Sequence, residues 1–143
     1  MSGRVAHVFL YRDGPGRMEP VPEARALEDH GFEGCGHARP GKKRQLLLID
    51  GETLRDFDLA PGRVKENITT EGIPIQGLGA GARVRVGTAI LELTGPCEPC
   101  GFMDTLAPGL RARSEGRRGV LARVIRGGRI APGDAIIPES PPA

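Results

Sequence analysis

Apolar and polar positions alternate along this chain in short runs that glycine and proline repeatedly cut. A period of two in most of these runs predicts strands rather than helices. Residues 4–11 are largely apolar through Val5, Ala6, Val8, Phe9 and Leu10 and read as a first strand. Residues 19–27 alternate loosely through Val21, Ala24 and Ala26 and read as a second. Between them, Asp13-Gly14-Pro15-Gly16 is a turn or exposed loop, because two glycines around a proline continue neither regular element. Segment 30–43 carries Gly31, Gly34, Gly36 and Gly41 and is expected to be irregular.

The run Arg44-Gln45-Leu46-Leu47-Leu48-Ile49-Asp50 gives the strongest buried-strand signal, with a short helix expected over 51–57. Pro61-Gly62 opens an extended segment over 63–70, and 73–78 is a short piece interrupted by Pro74. Arg83-Val84-Arg85-Val86 alternates cleanly, and a Gly-Thr turn joins it to a strand over 88–94, which predicts a hairpin. Phe102, Met103, Leu106 and Leu110 recur at helical spacing, a stripe that plain core packing explains, and Pro108-Gly109 divides it into two short helical pieces. Strands are expected at 119–125 and 134–137, and the proline-rich tail 138–143 is expected to be disordered.

Many short strands, with 22 glycines and 13 prolines, predict a mainly β fold, a barrel or sandwich, forming one domain over residues 1–137. No βαβ alternation argues for a doubly wound sheet, and no internal repeat is evident. A chain of 143 residues can bury roughly 70% of its unfolded surface. The formal charge of +2 and the few aromatic residues argue against nucleic acid as a partner. No signal-peptide pattern opens the chain, and no apolar stretch nears the roughly 18 residues of a membrane span. A cytoplasmic protein with available thiols and a small-molecule ligand is therefore expected, since three cysteines cannot all pair within one chain. Arginines crowd the C-terminal third, at 111, 113, 117, 118, 123, 126 and 129, as a solvated basic surface or as a site for an anion.

Candidate chemistry gathers where strand 88–94 ends. Gly95 and Pro96 stop the ladder, and Cys97 and Cys100 follow on a turn that leads into a helix. This Cys-x-x-Cys spacing admits a redox pair, although the βαβ setting of thioredoxin-like pairs is missing. It also admits structural zinc, with Cys35 and His37 completing three sulfurs and one imidazole, on a Cys-x-His spacing tighter than usual. Thirdly, it admits a single thiolate on a soft metal such as molybdenum. Basic residues on separate loops, Lys42, Lys43, Arg44, Arg63 and Lys65, can converge on a phosphate. The carboxamide of Asn67 can read a heterocycle edge or tie down a loop. His37 lies among glycines that let backbone approach a ligand closely.

Taken in order, several segments resemble the MOSC domain, the module named for the C-terminal region of molybdenum cofactor sulfurase. They are Gly31-Phe32-Glu33-Gly34 through His37, the run 44–50, Pro61-Gly62-Arg63-Val64-Lys65-Glu66-Asn67-Ile68 through Ile73, residues 87–94, Pro99-Cys100, and residues 128–134. The resemblance spans residues 5–137. It implies a barrel like the β-barrel domain of pyruvate kinase, with one or two short helices, and a cleft for the pyranopterin molybdenum cofactor or for sulfur carried on a cysteine. The family's functional cysteine maps onto Cys100, the metal ligand in molybdenum-bound members. Asn67, Thr69, Thr70 and His37 are then expected against the pterin, with Arg44 and Lys65 on its phosphate.

The activity so implied is that of a small, pyridoxal-phosphate-independent oxidoreductase acting on N-oxygenated compounds. A separate electron-donor protein would feed it, since no flavin, haem or iron–sulfur pattern is present. Two alternatives stand beside it: a sulfur carrier (a sulfur transferase) with a persulfide on Cys100, and a non-enzymatic module with zinc at Cys35, His37, Cys97 and Cys100. One departure matters, because small members of the family usually read Gly-Asp-x-His where this chain has Cys35, a thiol in place of the carboxylate.

Overall fold

The computed structural model describes residues 2–12 and 17–139. The expected turn at 13–16 lies outside the described residues. A run of strands, β1 (Gly3–Tyr11), β2 (Met18–Pro20), β3 (Ala24–Leu27), β4 (Gly31–Phe32) and β5 (Leu46–Asp50), leads into helix α1 (Gly51–Asp56). Then come β6 (Ile68–Glu71), β7 (Arg83–Val86), β8 (Ala89–Pro96), α2 (Gly101–Leu106), α3 (Leu110–Arg113), β9 (Val120–Arg126), β10 (Gly128–Ile130) and β11 (Ala135–Pro138). Seven strands run in the order β11-β7-β8-β9-β5-β6-β1, and pairing of β11 with β1 closes them into a barrel. Closure removes the open edges that would otherwise invite aggregation. Among the described residues, the β5–β6 pair alone is parallel.

Strand β8 shows the alternation expected of a barrel wall, with Ala89, Leu91 and Leu93 buried and Ile90 and Glu92 half-buried. Strand β5 is apolar and buried from Leu46 to Ile49 for a different reason: both of its faces are covered. Leu46 and Leu48 join the main core with Val5, Val8, Ile68, Leu91, Leu93 and Val124. Ile49 points the other way, into a smaller cluster with Leu54, Phe57, Val64, Met103 and Leu110, which seats the helices on the outside of the wall. At roughly 1.5–3 kcal/mol for each large apolar side chain buried, this second cluster is what holds α1, α2 and α3 to the barrel. Asp50 caps α1, its Oδ2 accepting from the Thr53 amide at 3.0 Å and from the Thr53 hydroxyl at 2.7 Å.

The hairpin at Gly87-Thr88 and the split at Pro108-Gly109 agree with the sequence pattern. Four features differ from it. Residues 19–27 form two strands, because Pro22 falls where a continuous ladder would need an amide donor. Residues 61–67 are not extended: Lys65 adopts a left-handed backbone (φ 66°), and β6 begins only at Ile68. Neither β10 nor β4, which lies within the segment 30–43 expected to be irregular, was anticipated. Pro138 closes β11 and the Glu139 amide donates to the Arg83 carbonyl at 2.8 Å, so the ordered chain reaches past residue 137; residues 140–143 lie outside the described ones.

Candidate functional site

Parallel pairing of β5 and β6 places Asn67 beside Leu47, and from there its side chain ties three segments together. Its Oδ1 accepts from the Leu47 amide at 3.0 Å, and its Nδ2 donates to the Phe9 carbonyl and to Cys35 Sγ, both at 3.3 Å. Cys35 Sγ also accepts from the amides of Tyr11 (3.3 Å) and His37 (3.4 Å). The buried thiol thus anchors the glycine-rich loop to β1 and to Asn67. Above it the His37 ring stacks on Tyr11, centroids 4.7 Å apart, with Nδ1 3.4 Å from Asn67 Oδ1. Burial is the main force holding the His37 pKa below its ordinary value; Arg44, Arg39 and Lys65 add to it, and the Asn67 hydrogen bond opposes it.

The loop before Asn67 is pinned from beneath. Glu66 is fully buried, and its Oε2 accepts from the Gly62 amide (2.9 Å) and the Thr69 hydroxyl (2.7 Å). Gly62 is required there: its φ is 90°, and a Cβ would stand 3.1 Å from the Phe9 ring. The Arg118 guanidinium passes under the same loop, donating through Nη2 to the Val64 carbonyl at 2.9 Å. Arg118 is only 4% exposed, yet its Nε and Nη1 meet no acceptor among the described residues. A guanidinium cannot shed its proton to escape burial, so an uncompensated one is costly to retain.

That guanidinium lines a cavity of about 50 Å³ together with His37, Arg44, Lys65, Asn67 and the start of β5. Among the described residues, no carboxylate lines it. Three cations and two idle buried donors around such a space have the chemistry that suits a small oxyanion, in the bidentate style that guanidinium favours. Beside it, and sharing Lys65, opens a hollow of about 620 Å³ lined by Phe9, Met18, Pro61, Gly62, Arg63, Phe102 and Leu106. The Lys65 ammonium stands 4.3 Å over the Phe102 ring at the boundary.

Of the residues singled out from the sequence, His37, Arg44, Lys65 and Asn67 come together at the cavity. Thr69 and Thr70 are fully buried in the barrel wall and do not line it. Cys100 is exposed, on extended backbone at the start of α2, and is also not among the lining residues. The four-ligand zinc site is not assembled. Cys35 is committed to amide donors under Asn67, and Cys97 is buried where its amide bonds the Gly119 carbonyl at 2.9 Å. Among the described residues no three of the His, Cys, Asp and Glu side chains gather as a metal-holding group. Sequence reasoning did not separate Arg118 from its neighbours. Arg117, one residue earlier, points to Asp56 at 2.6 Å and over Phe57, and the spacing of arginines does not distinguish the two.

Comparison with known proteins agrees with this architecture. The family model for the MOSC domain matches residues 41–137, more than half of the chain. No curated protein matches it. Among solved structures, the YUAD protein from Bacillus subtilis superposes with a TM-score of 0.83 at 17% identity, covering 99% of this chain and 98% of that one. YiiM from Geobacillus stearothermophilus gives 0.77 at 17% identity, over 96% of this chain and 75% of that one. YiiM from Escherichia coli gives 0.73 at 22%, over 100% and 72%. At these identities the likeness is one of fold.

Proposed function

Because the chain belongs to the MOSC domain family, we propose that it binds the pyranopterin molybdenum cofactor and acts as a small reductase of N-oxygenated compounds. The observation that carries this reading is the buried Arg118, with two donors idle in a cavity that holds cations and no carboxylate. A phosphate on the pterin would take up those donors, with Arg44 and Lys65 closing over it as more exposed partners. Asn67, fixed by Leu47 and Phe9, would hold His37 and the glycine-rich loop at the mouth. Cys100, free and solvent-accessible before α2, would offer its thiolate to the metal. When bound, the metal would supply the two-electron chemistry that converts an N–O bond to N–H with release of water, its electrons arriving from a separate donor protein.

The exposure of Cys100 also favours a second reading, a persulfide carrier, because an accessible thiol can accept sulfur from one protein and hand it to another. Protein purified from a host that makes the cofactor separates the two. The first reading expects molybdenum and pterin in the wild type and in Cys35→Ser, with the metal lost in Cys100→Ser. Cyanide-labile sulfur on Cys100 with neither metal nor pterin would defeat it and favour the carrier.

A further inference from the structure

The hollow next to the basic cavity has a chemistry of its own. Its walls are mostly apolar, with rings from Phe9 and Phe102 and aliphatic surface from Met18, Pro61 and Leu106. Its charged members are Arg63 and Lys65, and among the described residues no acidic side chain lines it. At about 620 Å³ it falls within the range of small-molecule sites. It is also built rather than incidental. The loop that forms one side is clamped by Glu66 and Arg118 and lies against Phe9 so closely that only glycine is admitted at position 62. Helix α2 forms another side, beginning immediately after Cys100 and turning Phe102 and Leu106 inward.

We infer that this hollow binds an apolar, ring-bearing molecule that carries a negative charge. Flat rings are favoured because Phe9 and Phe102 offer aromatic faces and edges. The negative charge is favoured because Arg63 and Lys65 are the charged side chains on its lining, and both are cations. With Lys65 shared with the basic cavity, the anionic end of the molecule lies towards Arg63 and its ring system towards Phe102. The inference rests on the proposed function in one respect only: it takes the molecule to be the substrate, or a mimic of it, held beside Cys100.

The test uses the full chain purified from a host that does not make the cofactor, so that it is independent of molybdenum. Two fluorescent probes with one skeleton are compared, anionic 1-anilinonaphthalene-8-sulfonate and neutral N-phenyl-1-naphthylamine. The sulfonate should bind saturably, at one per chain, and at least tenfold more tightly than the neutral probe. Arg63→Ala should weaken the sulfonate about tenfold and leave the neutral probe unchanged. Phe102→Ala should weaken both, and Leu106→Gln serves in its place if circular dichroism shows that Phe102→Ala fails to fold. Arg85→Ala, in a different hollow, should change neither. Equal affinity for the two probes, or sulfonate binding untouched by Arg63→Ala, would overturn the inference. Probe binding that behaves as described in a protein that never acquires molybdenum would leave this site standing and remove the cofactor reading alone.

Discussion

Two hollows of this molecule differ in a way that volume does not capture. The larger, about 570 Å³, is lined by Glu23, Arg85, Thr88, Arg129 and Asp134 among others. Its charges are balanced: Glu23 pairs with Arg129 at 3.6 Å, and Asp134 accepts from the Ala131 amide at 2.8 Å. The smaller, about 50 Å³, holds Arg44, Lys65 and Arg118 with no acid, and the most buried of these cations has donors without acceptors. Balanced surface charge contributes little to stability and asks for nothing more. Unbalanced buried charge is tolerated where a ligand completes it. Size gives room; an unmet electrostatic demand gives a site.

The largest effect should come from removing that demand. On the proposed function, Arg118→Met would remove two charge-assisted hydrogen bonds to the pterin phosphate, each about 1.5–3 kcal/mol, so pterin and molybdenum content after purification should fall at least a hundredfold. Next comes Asn67→Ala, which strips acceptors and donors from Leu47, Phe9 and Cys35 at once. It should lower unfolding stability by roughly 2–4 kcal/mol, measured by denaturant titration.

A smaller effect concerns His37. Its pKa is lowered in the folded protein, so its contribution to stability is complete above about 6.5 and is lost as pH falls from there towards the lowered folded value. A bound anion reverses the preference by favouring the imidazolium. Sulfate, whose charge is constant over this range, should bind roughly threefold to tenfold more tightly at pH 5.5 than at 7.5. His37→Gln should flatten that dependence in calorimetric titrations. Smallest of all, Arg129→Ala in the larger hollow should leave anion affinity unchanged and alter stability by less than about 0.5 kcal/mol.

The contrast between the hollows also explains which parts were legible beforehand. Strands and the Gly87-Thr88 hairpin follow from local alternation and turn chemistry, so β1, β5, β7, β8 and β9 could be read directly. The break at Pro108 needed nothing more than proline's missing donor. By contrast, the loop over 61–67 turns on a lysine in the left-handed region, which no local preference announces. Its shape comes from Glu66, which bonds back to Gly62 within the loop, and from Arg118, whose contact with Val64 is made across a long stretch of chain. The cavity itself is assembled from residues 37, 44, 65, 67 and 118. Four of these five stood out in the sequence: His37 among its glycines, Arg44 and Lys65 as basic residues on separate loops, and Asn67 for its carboxamide. The fifth, Arg118, sits in an arginine-rich stretch where one member is buried and the next pairs with Asp56. Burial separates them, and burial is a property of the closed barrel. Cys35 was read as a metal ligand or a missing carboxylate; in the structure it is a buried acceptor for three N–H groups, one of them from the side chain of an asparagine 32 positions later.

The most direct measurement is a calorimetric titration of cofactor-free protein with inorganic phosphate, run on the wild type, Arg117→Met and Arg118→Met. One phosphate should bind per chain in the wild type and in Arg117→Met, and binding should disappear in Arg118→Met while its circular dichroism stays that of the folded barrel. Equal phosphate binding in all three proteins would contradict the account.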